Sequence, residues 1–351
     1  MVTRVYAAYD DGLRVIDPET GSVSLRLADR PVKCLSVECL SVGPGADGDG
    51  SAGSDGTRVL AGTSDAGLFR STDGGETFER VADETLGPGG TGPDAVTAVA
   101  TSPHDPAVVW IGTEPSRVFR SVDGGRTAER VGGLTAVPSA SEWSFPPRPD
   151  THHVRWIEPS PADPDRWFVG VEAGALVVTP DGGETWLDRP EGSRRDNHAL
   201  ATHPAAPDRV YTAAGDGFAE SEDRGESWRV VDRGLDHGYV WGLAVDPGDP
   251  ETAIVSAASG ATAAHRRGEA YLYRRTTGDG SDASPRFERL DDRGIPTGEG
   301  TYRAVLASGG ESGGVWVIHN EGLYRTRDAG ESFERVPADL PASPARALAV
   351  R

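Results

Sequence analysis

The side chains best suited to chemistry in this 351-residue chain are eight histidines and the tryptophans, tyrosines and arginines beside them. They gather at Glu142-Trp143, His152-His153, Arg155-Trp156, Asn197-His198, His237, Tyr239, Trp241, Tyr302 and Arg303. Glu114, Glu172, Asp216, His265-Arg266-Arg267 and His319-Asn320-Glu321 extend the set. Rings give rigid contact area while Arg and His orient a ligand, so their convergence would make a binding pocket. Two sharper chemistries stand beside that reading. His153, His198 and His237, with His152, His319 and a carboxylate such as Glu172, offer imidazole for zinc, iron or nickel, without a short ligand motif. Glycoside cleavage needs two carboxylates across the scissile bond, and Glu114, Glu142, Glu172 and Glu321 are the candidates. Ser-His-Asp catalysis lacks a Gly-x-Ser-x-Gly elbow, and the glycine run at 87–92 lacks the strand–loop–helix context of a phosphate loop.

The elements that must position these groups are strands. Gly 46 and Pro 26 accompany short alternating apolar runs, and no window keeps a helical period. No apolar run is long enough to span a membrane, and the first residues read as a strand rather than a signal peptide, so a cytoplasmic protein without membrane contact is expected. One stretch is written five times: Ser71-Thr72-Asp73-Gly74-Gly75-Glu76-Thr77-Phe78, then 121–128, 179–186, 221–228 and 326–333. Asp followed by Gly between alternating runs signals a hairpin, and the carboxylate and hydroxyls can bond the turn's own N–H groups. Asp73, Asp123, Asp181, Asp223 and Asp328 are therefore expected to be structural clips, with the closing aromatic packed between sheets.

This repeat resembles the Asp-box, or BNR, repeat of sialidase-like β-propellers, whose members include sialidases, xyloglucanases, sortilin-type receptors and a photosystem II assembly factor. Asp73 and Asp123 lie 50 residues apart and Asp181 and Asp223 lie 42 apart, the length of a four-stranded blade. The 105 residues between Asp223 and Asp328 hold one further unit in which the low-complexity run 277–284 replaces the clip. Inner strands are expected at 33–37, 95–101, 154–158, 198–202, 240–246 and 302–307, with 345–350 as a seventh. The expectation is an all-β, seven-bladed propeller of four-stranded antiparallel blades in one domain over 1–351. Its first blade would join about 1–30 to 345–351, and the insert at 43–56 obscures the second.

Sialidases of this superfamily imply six blades, an arginine triad, a Tyr nucleophile and an Arg-Ile-Pro motif, which this chain lacks; xyloglucanases imply two propellers around a cleft. In such propellers the inner strands start on the face opposite the Asp-box turns. That face collects Trp143, His153, Arg155, Asn197, His198, His237, Tyr239, Trp241, Arg266, Tyr302, Arg303 and His319 as ligand-binding candidates, with 132–151 as a Pro-rich loop over the mouth.

The formal charge is −20 and Lys33 is the single lysine, a composition resembling that of halophilic archaeal proteins. An acidic body argues against nucleic acid, which needs a basic footprint. Cys34 and Cys39, five residues apart in one strand, face opposite ways and are expected as unpaired core residues. The favoured reading is a monomeric, non-catalytic scaffold binding a protein partner or sugar-like small molecule at the funnel. The alternative is a glycoside hydrolase-like enzyme. No cofactor is expected, although the histidines admit a divalent metal.

Overall fold

In the computed structural model, which describes residues 3–39, 56–278 and 284–351, the apolar runs pair into seven antiparallel sheets. Six have four strands; the sixth blade gains a fifth through Gly298–Glu299. Six of the blades run from an inner to an outer strand in chain order, as in Ala95–Thr101, Val109–Glu114, Val118–Ser121 and Glu129–Val131. Seven such blades in a ring make a seven-bladed β-propeller. The insert at 43–56, apart from Gly56, and residues 279–283 of the low-complexity run lie outside the described residues.

Ring closure follows from the ends of the chain. Ala347–Val350 pairs with Val5–Tyr9 in the register Val5↔Val350 to Ala8↔Ala347, so the first blade is built from both termini. The inner strand of the seventh blade is Val305–Ser308, shorter than expected, which leaves Tyr302 and Arg303 just before it. No helix among the described residues is long and apolar enough to cross a membrane.

The core lies between blades, where flat sheet faces meet. Trp110 of blade three stacks on Trp167 of blade four at 4.8 Å, and the clip aromatic Trp186 meets Trp110 edge-on at 6.3 Å. Trp228 packs back on Phe168, and Phe333 joins Leu290 and Ile254, so these clip aromatics seal the preceding interface. Arginine also works inside: the Arg275 guanidinium, 1% exposed, donates to Glu220 at 2.7 Å and Glu251 at 3.0 Å. Its planar fork suits such bidentate, buried pairing better than lysine would.

The repeated stretch does form a clip. Asp123 Oδ1 accepts from the Thr127 N–H and the Ser121 hydroxyl, Oδ2 accepts from the Thr127 hydroxyl at 2.7 Å, and Ser121 Oγ accepts the Gly125 N–H. The same pattern recurs at Asp73, Asp181, Asp223 and Asp328. Gly74 (φ 73°) supplies the left-handed turn that Arg224 (φ 61°) and Ala329 (φ 55°) must adopt in two later copies. Cys34 is buried as expected, but Cys39 is exposed, because it stands at the strand's outer end.

Two predictions follow from the clip. Ala329→Gly relieves a left-handed alanine and should raise stability by about 0.5–1 kcal/mol in urea unfolding. Burial alone would raise the Asp123 pKa, but hydrogen bonds from Thr127 and Ser121 outweigh it and hold the group below its ordinary 3.8; Asp73, Asp223 and Asp328 behave alike. Their contribution is present above that value and lost as pH falls through the lower folded pKa. Urea midpoints should hold between pH 7 and 5 and drop below pH 4.

Candidate functional site

The inner strands of blades two to six share one irregularity near their starts. Pairing jumps from Val32 to Cys34, Val96 to Ala98, Val154 to Trp156, Asn197 to Ala199 and Val240 to Gly242. The skipped residues are Lys33, Thr97, Arg155, His198 and Trp241. A bulge leaves one residue out of the ladder and re-aims its side chain. Small residues in the second strands let the next blade close on this bend: a Cβ on Gly62 would stand 2.5 Å from Val96 of the following blade, and one on Gly112 would stand 2.5 Å from Val154.

The bulges open onto a cavity of about 1000 Å³ at the face where inner strands begin, away from the clips. Lys33, Thr97, Arg155 and Trp241 line it, joined by Glu114, Arg148, His153, Glu172, Asp196, Tyr239, His265, Arg266, Arg303 and Arg346. The Pro-rich segment forms part of its wall through Phe145, Pro146 and Pro147, with the Phe145 ring edge-on to His153 at 4.9 Å.

On a body of charge −20 this cavity concentrates cations. Arg148 is clamped on Glu114 at 2.6 and 3.1 Å, Arg155 faces Glu172 at 3.6 Å, and Lys33 and Arg346 share Asp10. Arg303 is different. It is 4% exposed, its Nε has no hydrogen-bond partner, and no carboxylate of the described residues pairs with it. Its guanidinium lies 4.5 Å from the Trp241 ring centre, with Arg155 at 5.0 Å from the same ring. Burial, then the positive neighbours Arg346 and Arg155, pull the Arg303 pKa down to about 9. Both effects make the site receptive to an anion.

Opposite in sign is a compact group of acceptors. Glu172, Asp196 and His198 each bring one atom within 4.8 Å of the others. Burial opposes the charge on Glu172, but the His153 hydrogen bond at 2.9 Å and the nearby His198 and Arg155 hold its pKa at about 2. Asp196 moves the other way, raised by burial and only partly offset by His198. His198 Nδ1 lies 2.8 Å from the Val240 carbonyl and so donates to it, which turns Nε2 toward Asp196 at 3.6 Å. This is the one cluster among the described residues with the donor set of a metal site.

The structure sorts the expected residues. Glu114, His153, Arg155, Glu172, Tyr239, Trp241, Arg266 and Arg303 reach the cavity, and His198 lies directly behind its wall. Several do not. Trp143 is buried in the blade interior, its Nε1 donating to Ser139, and Asn197 is spent on Thr212 and the Arg194 carbonyl. His237 stacks on Tyr271 and His319 on Tyr324, within their own blades. Tyr302 is half-buried beside Asn320, Glu142 is taken by Arg189, and Glu321 is exposed on a turn. His153 and His237 are thereby separated from the His198 group as metal donors, since His153 is spent on Glu172. Asp196, Lys33, Arg148 and Arg346 were not foreseen. For Lys33 a signal existed: each bulge residue falls second or third in its inner strand, between an apolar or amide residue and a partner-facing one.

No family model matches the chain, and no curated protein matches it. Solved structures do. A GH74 xyloglucanase from Xanthomonas campestris superposes with TM-score 0.62 at 18% identity, over 97% of this chain and 52% of its own. YCF48 from Cyanidioschyzon merolae gives 0.56 at 14% identity, over 91% and 94%, and a structure of YCF48 bound to D1 peptide gives 0.54 at 15%, over 80% and 79%. The likeness is one of fold. The chain spans about half or less of the GH74 enzymes it matches.

Glu172→Gln should test the charge pattern. It leaves Arg155 and His153 facing an uncharged amide, and thermal unfolding should show a loss of about 2–4 kcal/mol. Glu142→Gln, at an exposed pair, should leave the unfolding midpoint close to that of the unaltered protein.

Proposed function

We propose that this propeller is a binding protein whose funnel receives a carboxylate-bearing ligand, either a small molecule or an acidic segment of a protein partner. One observation carries this reading: the Arg303 guanidinium is buried at the cavity wall without a counter-charge of its own. A buried cation without a partner is costly, and an incoming carboxylate supplies the missing bidentate acceptor. Arg346, Arg155 and Arg266 around the same cavity add attraction. The likeness to a propeller solved with a bound peptide supports this class of function, and the GH74 likeness supports the second.

That second reading is glycoside hydrolase-like. It draws on Glu172 and Asp196, two carboxylates whose pKa values are driven apart, the arrangement that assigns acid and base roles. Yet the two groups stand side by side on one wall, tied by the Ala173 N–H that bonds Asp196 Oδ1 at 2.8 Å. A sugar bond needs carboxyls flanking it, about 5–10 Å apart. Binding is therefore the better-supported function.

Trp241 beneath the arginines provides the readout. Titrating an acidic peptide in molar KCl should quench tryptophan fluorescence, and its Gln-substituted counterpart should not. Arg303→Gln should weaken binding about 10–100-fold, the worth of one charged hydrogen-bonded pair. Equal affinity in that variant would overturn the assignment. Hydrolysis of a carboxylated glycoside, lost in Asp196→Asn, would replace it with the enzymatic reading.

A further inference from the structure

The anion site and the acceptor cluster share a single wall. His198 and Arg303 both pack on Trp241, the His198 ring 4.4 Å and the Arg303 guanidinium 4.5 Å from its centre. The two therefore lie within about 9 Å of each other. A ligand a few ångströms long, with a hydrogen bond of about 2.9 Å at each end, is of a size to meet both groups within that limit.

Geometry limits what the acceptor cluster can take. An ammonium group has three donors, and hydrogen bonds of about 2.9 Å in tetrahedral directions put their acceptors roughly 4.7 Å apart. A tetrahedral zinc with N and O ligands at about 2.0–2.2 Å would need those atoms roughly 3.3–3.6 Å apart. Glu172, Asp196 and His198 present three acceptor atoms that all lie within 4.8 Å of one another, a spread that reaches the ammonium spacing, while the His198–Asp196 pair at 3.6 Å also meets the zinc spacing. The unanswered Arg303 on the same Trp241 ring then favours a cation that carries a carboxylate. His198 is 1% exposed, and with Nδ1–H committed to the Val240 carbonyl its Nε2 carries a lone pair. Among the described residues the Tyr239 hydroxyl is the one hydrogen-bonding neighbour of that nitrogen, at 3.4 Å, and it stands closer to His265 Nε2, at 2.8 Å. Asp196 and Glu172 are each anchored from behind, by the Ala173 N–H and by His153. The three acceptors are thus held in place and under-supplied with protons.

We propose that the funnel recognises a zwitterion of the α-amino acid class, its ammonium group held by Glu172 and Asp196 of the funnel wall, with His198 behind them, and its carboxylate by Arg303. This rests on the reading of the funnel as an anion site and adds the cationic half. Charge agrees with it: Glu172 is balanced by Arg155, and Asp196 and Arg303 are left to answer the ligand's two charges. Phe145, Pro146 and Pro147 give the ligand side chain an apolar surface at the mouth.

The test is thermal shift on the full chain in molar KCl with L-phenylalanine, L-leucine and L-glutamate. Alongside run N-acetyl-L-phenylalanine, which lacks the ammonium, phenylalaninamide, which lacks the carboxylate, and zinc and manganese chlorides. A free amino acid at saturation should raise Tm by about 3–6 °C, and each single-charge analogue should lose most of that shift. Asp196→Asn should remove the response to the free amino acid while retaining a weak response to the N-acetyl form. The analogues probe the unaltered protein, so a poorly folding variant leaves the test intact. N-acetyl-L-phenylalanine binding as well as L-phenylalanine would overturn the ammonium site and leave the anion site standing. A shift with zinc or manganese, lost in Asp196→Asn, with no response to amino acids would make the cluster a metal site instead. Silence towards every carboxylate would overturn both readings.

Discussion

A single bend in each of five neighbouring inner strands sets the character of the funnel. Propeller strands alternate faces, so a residue at the start of an inner strand would ordinarily be committed to a packed interface. The bulges take Lys33, Thr97, Arg155, His198 and Trp241 out of the ladder at one level of the ring. Glycines such as Gly62 and Gly112 make room for the bend, because a methyl group there would collide with the next blade. The scaffold holds the bends through inter-blade packing and a first blade closed by both chain ends, and chemistry is confined to a narrow collar.

Charge is distributed with the same division. The acidic residues that give the protein its −20 lie largely on the surface and in ion pairs with arginine, whereas the funnel gathers cations that those acids do not fully answer. Asp10 serves both Lys33 and Arg346, Glu172 serves His153 and Arg155, and Arg303 goes without. In a low-dielectric pocket an unanswered charge is a strong determinant of what may enter. The five clip aspartates are conspicuous in sequence yet are spent on their own turns.

Much of the fold was legible because its signals are local. A clip repeated five times fixes blade length, and alternation fixes strand and face, so even the split first blade could be read from the seventh inner strand. The site was legible only in part. The face was readable, and with it Arg155, Glu172, Tyr239, Trp241 and Arg303. Which residue of a loop points inward depends on long-range contacts: Trp143 and Asn197 turned into the blades, while Asp196, beside Asn197, turned to the cavity. His237 and His319 found stacking partners within their own blades, which residue type alone does not reveal. Cys39 is exposed for a simpler reason, its place at the outer end of a strand along which burial falls away.

The most direct measurement is a crystal structure of the protein grown with 4-iodobenzoate, in which iodine marks the ligand by anomalous scattering and the carboxylate reports on the arginines. The anion should sit in the funnel with its carboxylate bidentate on the Arg303 guanidinium at about 2.8 Å and its ring toward Phe145. Iodine sites confined to the outer surface, with Arg303 still unpaired in a funnel holding only water, would contradict the assignment of that cavity as an anion-binding site.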